Sequence, residues 1–524
     1  MLKPVKNLGN FLTDVSQRFA QSPGFIQGDR SYTWTQLNAR VDALAHGLAS
    51  LGVGKGDRIL IHSSNNVQLF ESCWVAFKLG AIWVPTNVRI TEPETAYLAS
   101  ASRATVVIYD EGYASHAKRC CEAADSVRHV IAIGEPSANE LHYDALLEQH
   151  VNDGRFDAVE VEYEDPLWFF FTSGTTGFPK AGVLSHGQMA FVITNHLADL
   201  LPGIDHHSRS LVVAPLSHGA GIHAIANTAR GAASVLPVSA RLDCEEAWQL
   251  VQQYRVDNMF TVPTIVKRLT EDPAVDRFDH SSLQYVIYAG APMYRADQKH
   301  ALRKLGRVLV QYYGLGEVTG NITVLPAHMH QEDDDADDAR VGTCGYARTG
   351  MDIAILDEEG QRCGAGVTGE ICVRGPAVCM GYDNNEAANE KAFKYGWFHT
   401  GDLGYVDAGG YLYITGRQSD MYISGGSNVY PREIEEVLLT HAAVSEVAVF
   451  GVPDAKWGEA GVAVIVCKKG NRIDAATLNH HLHGKVARYK HPARYYFWDS
   501  MPKSGYGKIV KKDLQRMVQD DANP

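Results

Sequence analysis

Residues 171–183 read "FTSGTTGFPKAGV", hydroxyls and glycines set between an aromatic run and a lysine. The chemistry such a stretch suits is the holding of phosphate. Gly174 and Gly177 let backbone amides approach an anion, Thr172, Ser173, Thr175 and Thr176 offer hydroxyls, and Lys180 adds positive charge. It is not a Walker loop, because Pro179 breaks that pattern's spacing and Ala181 follows the lysine. Taken alone, the same residues suit a polar surface turn.

Further segments place polar residues where apolar runs end. "YYGLGEVTG" (312–320) brings Tyr312, Tyr313, Gly314, Gly316 and one acid, Glu317. "YAGAPM" (288–293) ends in small residues, with Gly290, Ala291 and Pro292 suited to a flat ligand lying against backbone. "GWFHTGDLG" (396–404) sets Asp402 between glycines, where a carboxylate accepts two hydroxyls. "GRQSDMYISGGSNVYPREIE" (416–435) carries Arg417 and the pair Gly425 and Gly426. "PKSGYGKIVKKDL" (502–514) puts Lys508 in a glycine-softened loop. Each has a plainer use: Asp402 as a turn brace, Glu317 as a helix cap, Lys508 as one of several solvated lysines.

The elements that must position these residues alternate between helical and strand patterns. "WTQLNARVDALAHGLASLGV" (34–53) carries Leu37, Val41, Leu44, Ala45 and Leu48 on one helical face. "DRILIHSS" (57–64), "AIWVPTN" (81–87), "ATVVIYD" (104–110) and "LWFFF" (167–171) read as strands, with a helix over 68–80. The rhythm returns at "RSLVVAP", "DNMFTVP", "LQYVIYAG" and "RVLVQYYG", which argues for α/β sheets. After Thr343 the texture turns β-rich, and from Gly416 onward it is a compact α+β pattern, with a helix over 431–439 opened by Pro431. The expected architecture is a large multi-sheet domain over 1–416 and a small α+β domain over 417–524. "GVGKGDR" (52–58) mimics a dinucleotide loop but joins a helix to a strand, the reverse of the required order. "QEDDDADDAR" (331–340) lacks EF-hand spacing and reads as a solvated loop.

Composition bounds the function. At 524 residues the chain exceeds one core. A net charge of −13 argues against nucleic acid as a partner. No stretch approaches a membrane span, and the N-terminal residues lack the apolar core of a secretory signal. Nine cysteines without a C-x-x-C pair read as reduced thiols of a cytoplasmic protein, with no zinc site.

In this order, the motifs resemble those of the adenylate-forming superfamily of acyl-CoA synthetases, luciferases and nonribosomal-peptide adenylation domains. "TSGTTGFPKAGV" is similar to its phosphate loop, "YGLGE" to its adenine and magnesium motif, and "HTGDLG" to its ribose motif. "GRQSDMYISGGSNVYPREIE" resembles its hinge and "PKSGYGKI" its catalytic-lysine motif. "QLNARVDALAHGL", "GDRILI" and "GAIWVPTN" follow in family order, so the resemblance spans nearly the whole chain.

The resemblance implies a two-step reaction: a carboxylate attacks the α-phosphate of ATP, giving acyl-adenylate and pyrophosphate, and a thiol then displaces AMP. Each close pair of like charges costs about 4 kcal/mol at an effective dielectric near 20. Mg2+ held through Thr176 and Glu317, the 172–180 loop and Lys508 would offset that repulsion. The resemblance puts Tyr313 on adenine, with Tyr312, Gln311 and residues 290–292 beside it, and Asp402 and Arg417 on the ribose. It makes the segment after Arg417 a mobile lid. Two positions depart from it. Gly316 stands where the family usually has threonine, and Ser419 where the hinge usually has aspartate or lysine, which a hinge tolerates because it needs backbone freedom.

Within the superfamily, "APLSHGAGIH" (214–223) carries no acid to hold an ammonium, against an amino-acid adenylation domain. "SGGSN" and "VPDAKWGEA" resemble the loop and Trp-Gly-Glu segment of CoA ligases, making Gly425, Gly426 and Trp457 the expected tunnel for CoA. The alternative is a fatty-acyl-AMP ligase passing the acyl group to a carrier protein, toward which "YGLGE" leans. A luciferase-type oxygenase needs a special substrate, and a dead binding protein sits poorly with Lys508, Glu317 and Asp402 all present. The acid pocket is expected from residues 186–191, 218–223, 288–293 and 314–321, with His218, Gly219 and Gly221 at its centre. It contains no basic residue for a second carboxylate, so the expected substrate is a hydrophobic monocarboxylic acid. The sequence does not reveal the oligomeric state; dimers are common among similar enzymes, so a homodimer is one option.

Overall fold

The structure, a computed structural model, describes residues 4–172, 178–424, 427–454, 456–503 and 509–521. Among them, two large sheets carry the N-terminal part. One has seven strands, ordered Lys180–Ser185, Pro166–Thr172, Ile82–Pro85, Arg58–His62, Val106–Asp110, His129–Ile133 and Leu141–His142. Its pairs are parallel except the first, where Pro166–Thr172 runs antiparallel to Lys180–Ser185 and Thr172 lies opposite Lys180. The other has nine strands, and its middle, Ala233–Leu236 through Leu309–Tyr313, is parallel.

Helices between strands make the crossovers that parallel pairing requires. Trp34–Ser50 begins at a capping box, Thr33 with Gln36, and buries the expected Leu37, Val41, Leu44, Ala45 and Leu48. The largest apolar cluster draws on both sheets, with Phe25 and Leu236 from one and Ile59, Ile61 and Trp168 from the other, and with Trp34 and Trp74 from the helices. Residues 52–57 join that helix to a strand, in agreement with the sequence reading.

A third sheet is built from Asp352–Leu356, Gly369–Arg374, Phe393–Lys394, Trp397–Val406 and Leu412–Arg417. The last C-terminal sheet begins only at Tyr422–Ser424 and pairs Val444–Asp454, Gly458–Cys467 and Arg494–Trp498. Its two apolar clusters draw only on residues after 421, so this part has a core of its own. Arg417 is the last residue of the third sheet, and backbone bonds from Asp420 and Met421 to the Arg417 carbonyl turn the chain into the C-terminal part.

Two details differ from the sequence expectation. Thr172 ends its strand rather than sitting in the following turn. The acidic 331–340 segment is not simply solvated: Asp334 bonds Arg295 and Lys299, and Glu332 bonds Arg303, along helix Arg295–Leu305. Helix cations at four-residue spacing meet the loop's acids there.

Candidate active site

The expected phosphate-loop strand, Pro166–Thr172, delivers the Thr172 hydroxyl to the carboxylate of Glu317 at 2.8 Å. Glu317 is buried, in a single 3-10 turn after strand Leu309–Tyr313. Its Oε1 also accepts the phenol of Tyr382 at 2.8 Å. Burial and the neighbouring carboxylate push the Tyr382 phenol far up, so it stays protonated and donates. Lys180 lies across the strand from Thr172 with its ammonium 4.9 Å from the centre of the Tyr382 ring. Glu317 Oε2 receives no donor from the described residues. A fixed carboxylate oxygen that takes no donor from the described residues suits a hard cation, and Glu317 would hold Mg2+ there, which supplies charge neutralisation.

Tyr382 was not foreseen, and the fold explains its presence. Residues 380–383 run along the exposed edge of strand Lys180–Ser185, with bonds from Met380 to Val183 and from Val183 to Gly381. The Cys379 amide donates to the Glu317 carbonyl at 2.7 Å, pinning the turn that carries the acid. Nothing in the local sequence around Tyr382 signals this pairing.

The second cluster forms around Asp402. Its Oδ2 accepts the Tyr313 phenol at 2.6 Å and its Oδ1 accepts Arg417 Nε at 2.9 Å. Asp402 and Arg417 are direct partners across a hairpin. A register shift beside Asp402, between Leu403 and Gly404, and a positive φ at Gly401 turn the carboxylate out of the ordinary pleat. Arg417 is held above its usual range by the Asp402 charge, while burial and Asp402 push the Tyr313 phenol up. Glu370 braces the turn: it accepts the Gly401 amide at 3.0 Å and bonds His399 at 2.7 Å. The sulfur of Cys372 lies 3.4 Å from the same imidazole. Glu370, Cys372 and His399 thus present ligand-type atoms within 4.8 Å of one another, a grouping that cysteine spacing does not announce, and burial pushes the Cys372 thiol up.

Tyr313 and Gln311 share one face of their strand, with Gln311 accepting the Tyr288 phenol at 3.1 Å. Gly290, Ala291 and Pro292 follow strand Tyr285–Tyr288, and Gly290 has φ +81°. Gly314 lies against Gly320, where an added Cβ would come 2.4 Å from Cα. Strand alternation turns the Tyr312 ring to the opposite face from Tyr313 and Gln311, stacked on Phe260 at 5.9 Å.

On that face the Tyr312 ring approaches Gly219, one of the residues expected to line the acid pocket. The His218 ring is 4.7 Å from Phe170. A Cβ on Gly219 would meet Phe260 at 2.7 Å, and one on Gly221 would meet the Leu216 carbonyl at 2.1 Å, so glycine is demanded at both. His186, expected in this lining, packs instead near Phe77 and accepts from the Leu8 amide. The departure at Gly316 has a steric cause: its added Cβ would come 2.6 Å from the Phe170 ring and 2.7 Å from the Thr172 methyl. Phe170 fills the space that a threonine would take.

Trp457 is half-exposed in the turn between Val444–Asp454 and Gly458–Cys467, and Gly458 pairs with Ser424, next to the expected glycine pair. Ser173, Gly174, Thr175, Thr176, Gly177, Gly425, Gly426 and Lys508 lie outside the described residues.

Comparison with known proteins agrees with this geometry. Residues 12–383 match the family described as AMP-binding enzyme, and residues 433–508 match the AMP-binding enzyme C-terminal domain. The chain is 33% identical over 514 residues to a feruloyl-CoA synthase of Amycolatopsis, covering 98% of this chain and 99% of that one. It is also 33% identical over 516 residues to the long-chain-fatty-acid–CoA ligase FadD13 of Mycobacterium tuberculosis, covering 98% of each. Among solved structures, o-succinylbenzoate CoA synthetase of Bacillus subtilis, in complex with its acyl-adenylate intermediate, superposes with a TM-score of 0.84 at 27% identity, covering 98% and 99% of the chains. The chain belongs to the AMP-binding enzymes, the adenylate-forming ligase superfamily in which its relatives are acyl- and aryl-CoA ligases.

Proposed function

We propose that the protein is an ATP-dependent acid–CoA ligase, which activates a hydrophobic carboxylic acid as its acyl-adenylate and then transfers the acyl group to CoA. The observation that carries this reading is the pair of built carboxylates: Glu317, gripped by Thr172 and Tyr382, and Asp402, gripped by Tyr313 and Arg417. Glu317 serves Mg2+, which when bound neutralises phosphate charge. Asp402 serves the ribose hydroxyls, and Tyr313, on the face it shares with Gln311, serves adenine.

The acid enters over Gly219 and Gly221 beside His218 and Phe170, an apolar surface that favours a hydrophobic chain or ring. The names of the two relatives at 33% identity, one for an aryl acid and one for a fatty acid, support this class of substrate. Lys508 supplies positive charge to the reacting carboxylate and α-phosphate, and the segment of Gly425, Gly426 and Trp457 admits the thiol. The test is acid-dependent ATP–pyrophosphate exchange followed by AMP release on adding CoA, across acids graded in length and ring content. Exchange with no acid of the series refutes the adenylation step for this class. Exchange without CoA-dependent AMP release refutes CoA as acceptor and favours a carrier protein.

A further inference from the structure

Arg348 is fully buried, and among the described residues none of its three guanidinium nitrogens has a hydrogen-bond partner. Its nearest acid, Asp199, stands 3.6 Å from Nε, beyond hydrogen-bond reach. Asp199 is already satisfied: Thr349 donates its amide and hydroxyl at 2.8 Å each, and Asn195 donates at 3.1 Å. Burial lowers the Arg348 pKa only to about 10, so the side chain is charged at neutral pH. Asp199 pairs with the charge at 3.6 Å, but the guanidinium N–H groups have no hydrogen-bond acceptor among the described residues, and buried donors left so are costly.

The place is informative. The guanidinium lies 5.9 Å from the ring centre of Tyr312. The phenol oxygen of Tyr312 is 3.5 Å from the point where a Gly219 Cβ would stand, and its ring edge faces Gly320. Gly219 and Gly320 belong to the two stretches read above as the acid's pocket, and the Tyr312 ring that borders both has the Arg348 guanidinium against it. Next to it, His196 bonds His223 at 3.1 Å, and His223 bonds Asn258 Oδ1 at 2.8 Å. The chain of donors therefore runs toward Asn258 and leaves His196 Nδ1, also buried and unpartnered, as a bare acceptor. Burial keeps both imidazoles neutral.

We propose that Arg348 closes the acid pocket and recognises an oxygen carried at the distal end of the acid, a hydroxyl or a second carboxylate. The inference rests on the acid–CoA ligase reading for the location of the pocket, and it replaces a purely apolar end with a cationic one. A hydroxyl uses both groups, accepting from Arg348 and donating toward His196 Nδ1. A carboxylate uses Arg348 alone.

The test measures kcat/KM for ATP–pyrophosphate exchange on the full chain with matched acids. One pair is 3-(4-hydroxyphenyl)propanoate against 3-(4-methylphenyl)propanoate, and the other set is 6-hydroxyhexanoate and adipate against heptanoate. The oxygen-bearing member is expected to win by about 10- to 100-fold, the effect of one hydrogen bond to a charged group. In Arg348→Met the ratio falls to about one. Arg348→Lys, which keeps a donor but loses the fork, cuts the ratio at least about threefold. A thermal unfolding scan shows whether each variant folds, and where the methionine variant does not, the wild-type ratio and the lysine variant decide. Equal use of both members by the wild type, or a ratio unchanged in either variant, overturns the proposal. Absence of exchange with every acid instead defeats the ligase reading on which it rests.

Discussion

The hydroxyl of Tyr382 and the hydroxyl of Thr172 donate to the same oxygen of Glu317, each at 2.8 Å. Two donors on one oxygen fix the carboxylate's rotation and leave the other oxygen without a donor from the described residues. Tyr382→Phe removes one donor without changing the ring that faces Lys180. It should lower the rate of pyrophosphate exchange about 10-fold, with the Mg2+ concentration for half-maximal rate rising and the KM for the acid little changed. Glu317→Gln should cost about 10²–10³, the scale of one preorganised stabiliser. A Tyr382→Phe enzyme with unaltered Mg2+ dependence removes Tyr382 from this role.

Asp402 joins Tyr313 to Arg417, and these are the groups assigned to adenine and ribose. Asp402→Ala leaves the phenol and the guanidinium without their shared acceptor and removes the ribose contact. The KM for ATP should rise by about 10²-fold, since hydrogen bonds to charged groups are each worth about 1.5–3 kcal/mol. Steady-state kinetics with ATP and CoA varied separately checks this, with the KM for CoA moving less than threefold. A larger change in the CoA constant contradicts the assignment.

Gly316 and Phe170 are a matched pair, because a side chain at 316 would collide with the Phe170 ring. Gly316→Thr alone should destabilise the protein by about 1–3 kcal/mol, the usual cost of overpacking, and reduce exchange. Adding Phe170→Leu should recover most of both losses. Melting temperatures of the two single variants and the double variant give the coupling, and strictly additive losses rule it out.

His223 and His330 are held down to about 4, and His196 lies well below its usual value, all chiefly by burial. In the unfolded chain these groups take up protons near pH 6.5, so between about pH 6.5 and 4 the unfolded state binds more protons. Stability from this source is therefore present above pH 6.5 and lost on acidification, at no more than about 1.4 kcal/mol per pH unit for each histidine. Carboxyls whose values are raised chiefly by desolvation, Glu71 and Asp257, act in the opposite sense. The difference between wild type and His223→Gln isolates one histidine: denaturant unfolding should show a shallower acid decline in the variant. Identical slopes contradict a neutral buried His223.

The strands, the helix over 34–50 and the order of the motifs were legible because each rests on local periodicity or on neighbours in the chain. Thr172, Glu317, Tyr313, Asp402 and Arg417 were picked out for the same reason, and they fall into two clusters, Thr172 with Glu317 and Tyr313 with Asp402 and Arg417. Tyr382 was not, because it reaches Glu317 through strand pairing across 65 residues. Arg348 escaped because a lone arginine among glycines reads as a surface residue until tertiary packing buries it. The opposite direction of the Tyr312 ring was not legible from adjacency to Tyr313, because strand alternation separates the two side chains.

The central claim is that one chain carries out two half-reactions, adenylation with Lys508 and thioester formation past Gly426. The most direct measurement takes Lys508→Ala and Gly426→Leu through both steps separately: acid-dependent pyrophosphate exchange, and thioester formation from preformed acyl-adenylate and CoA. Lys508→Ala should lose about 10²–10³ in exchange while nearly sparing the thioester step. Gly426→Leu should keep exchange and abolish CoA-dependent turnover. Equal loss in both steps for Lys508→Ala, or normal thioester formation in Gly426→Leu, contradicts the account.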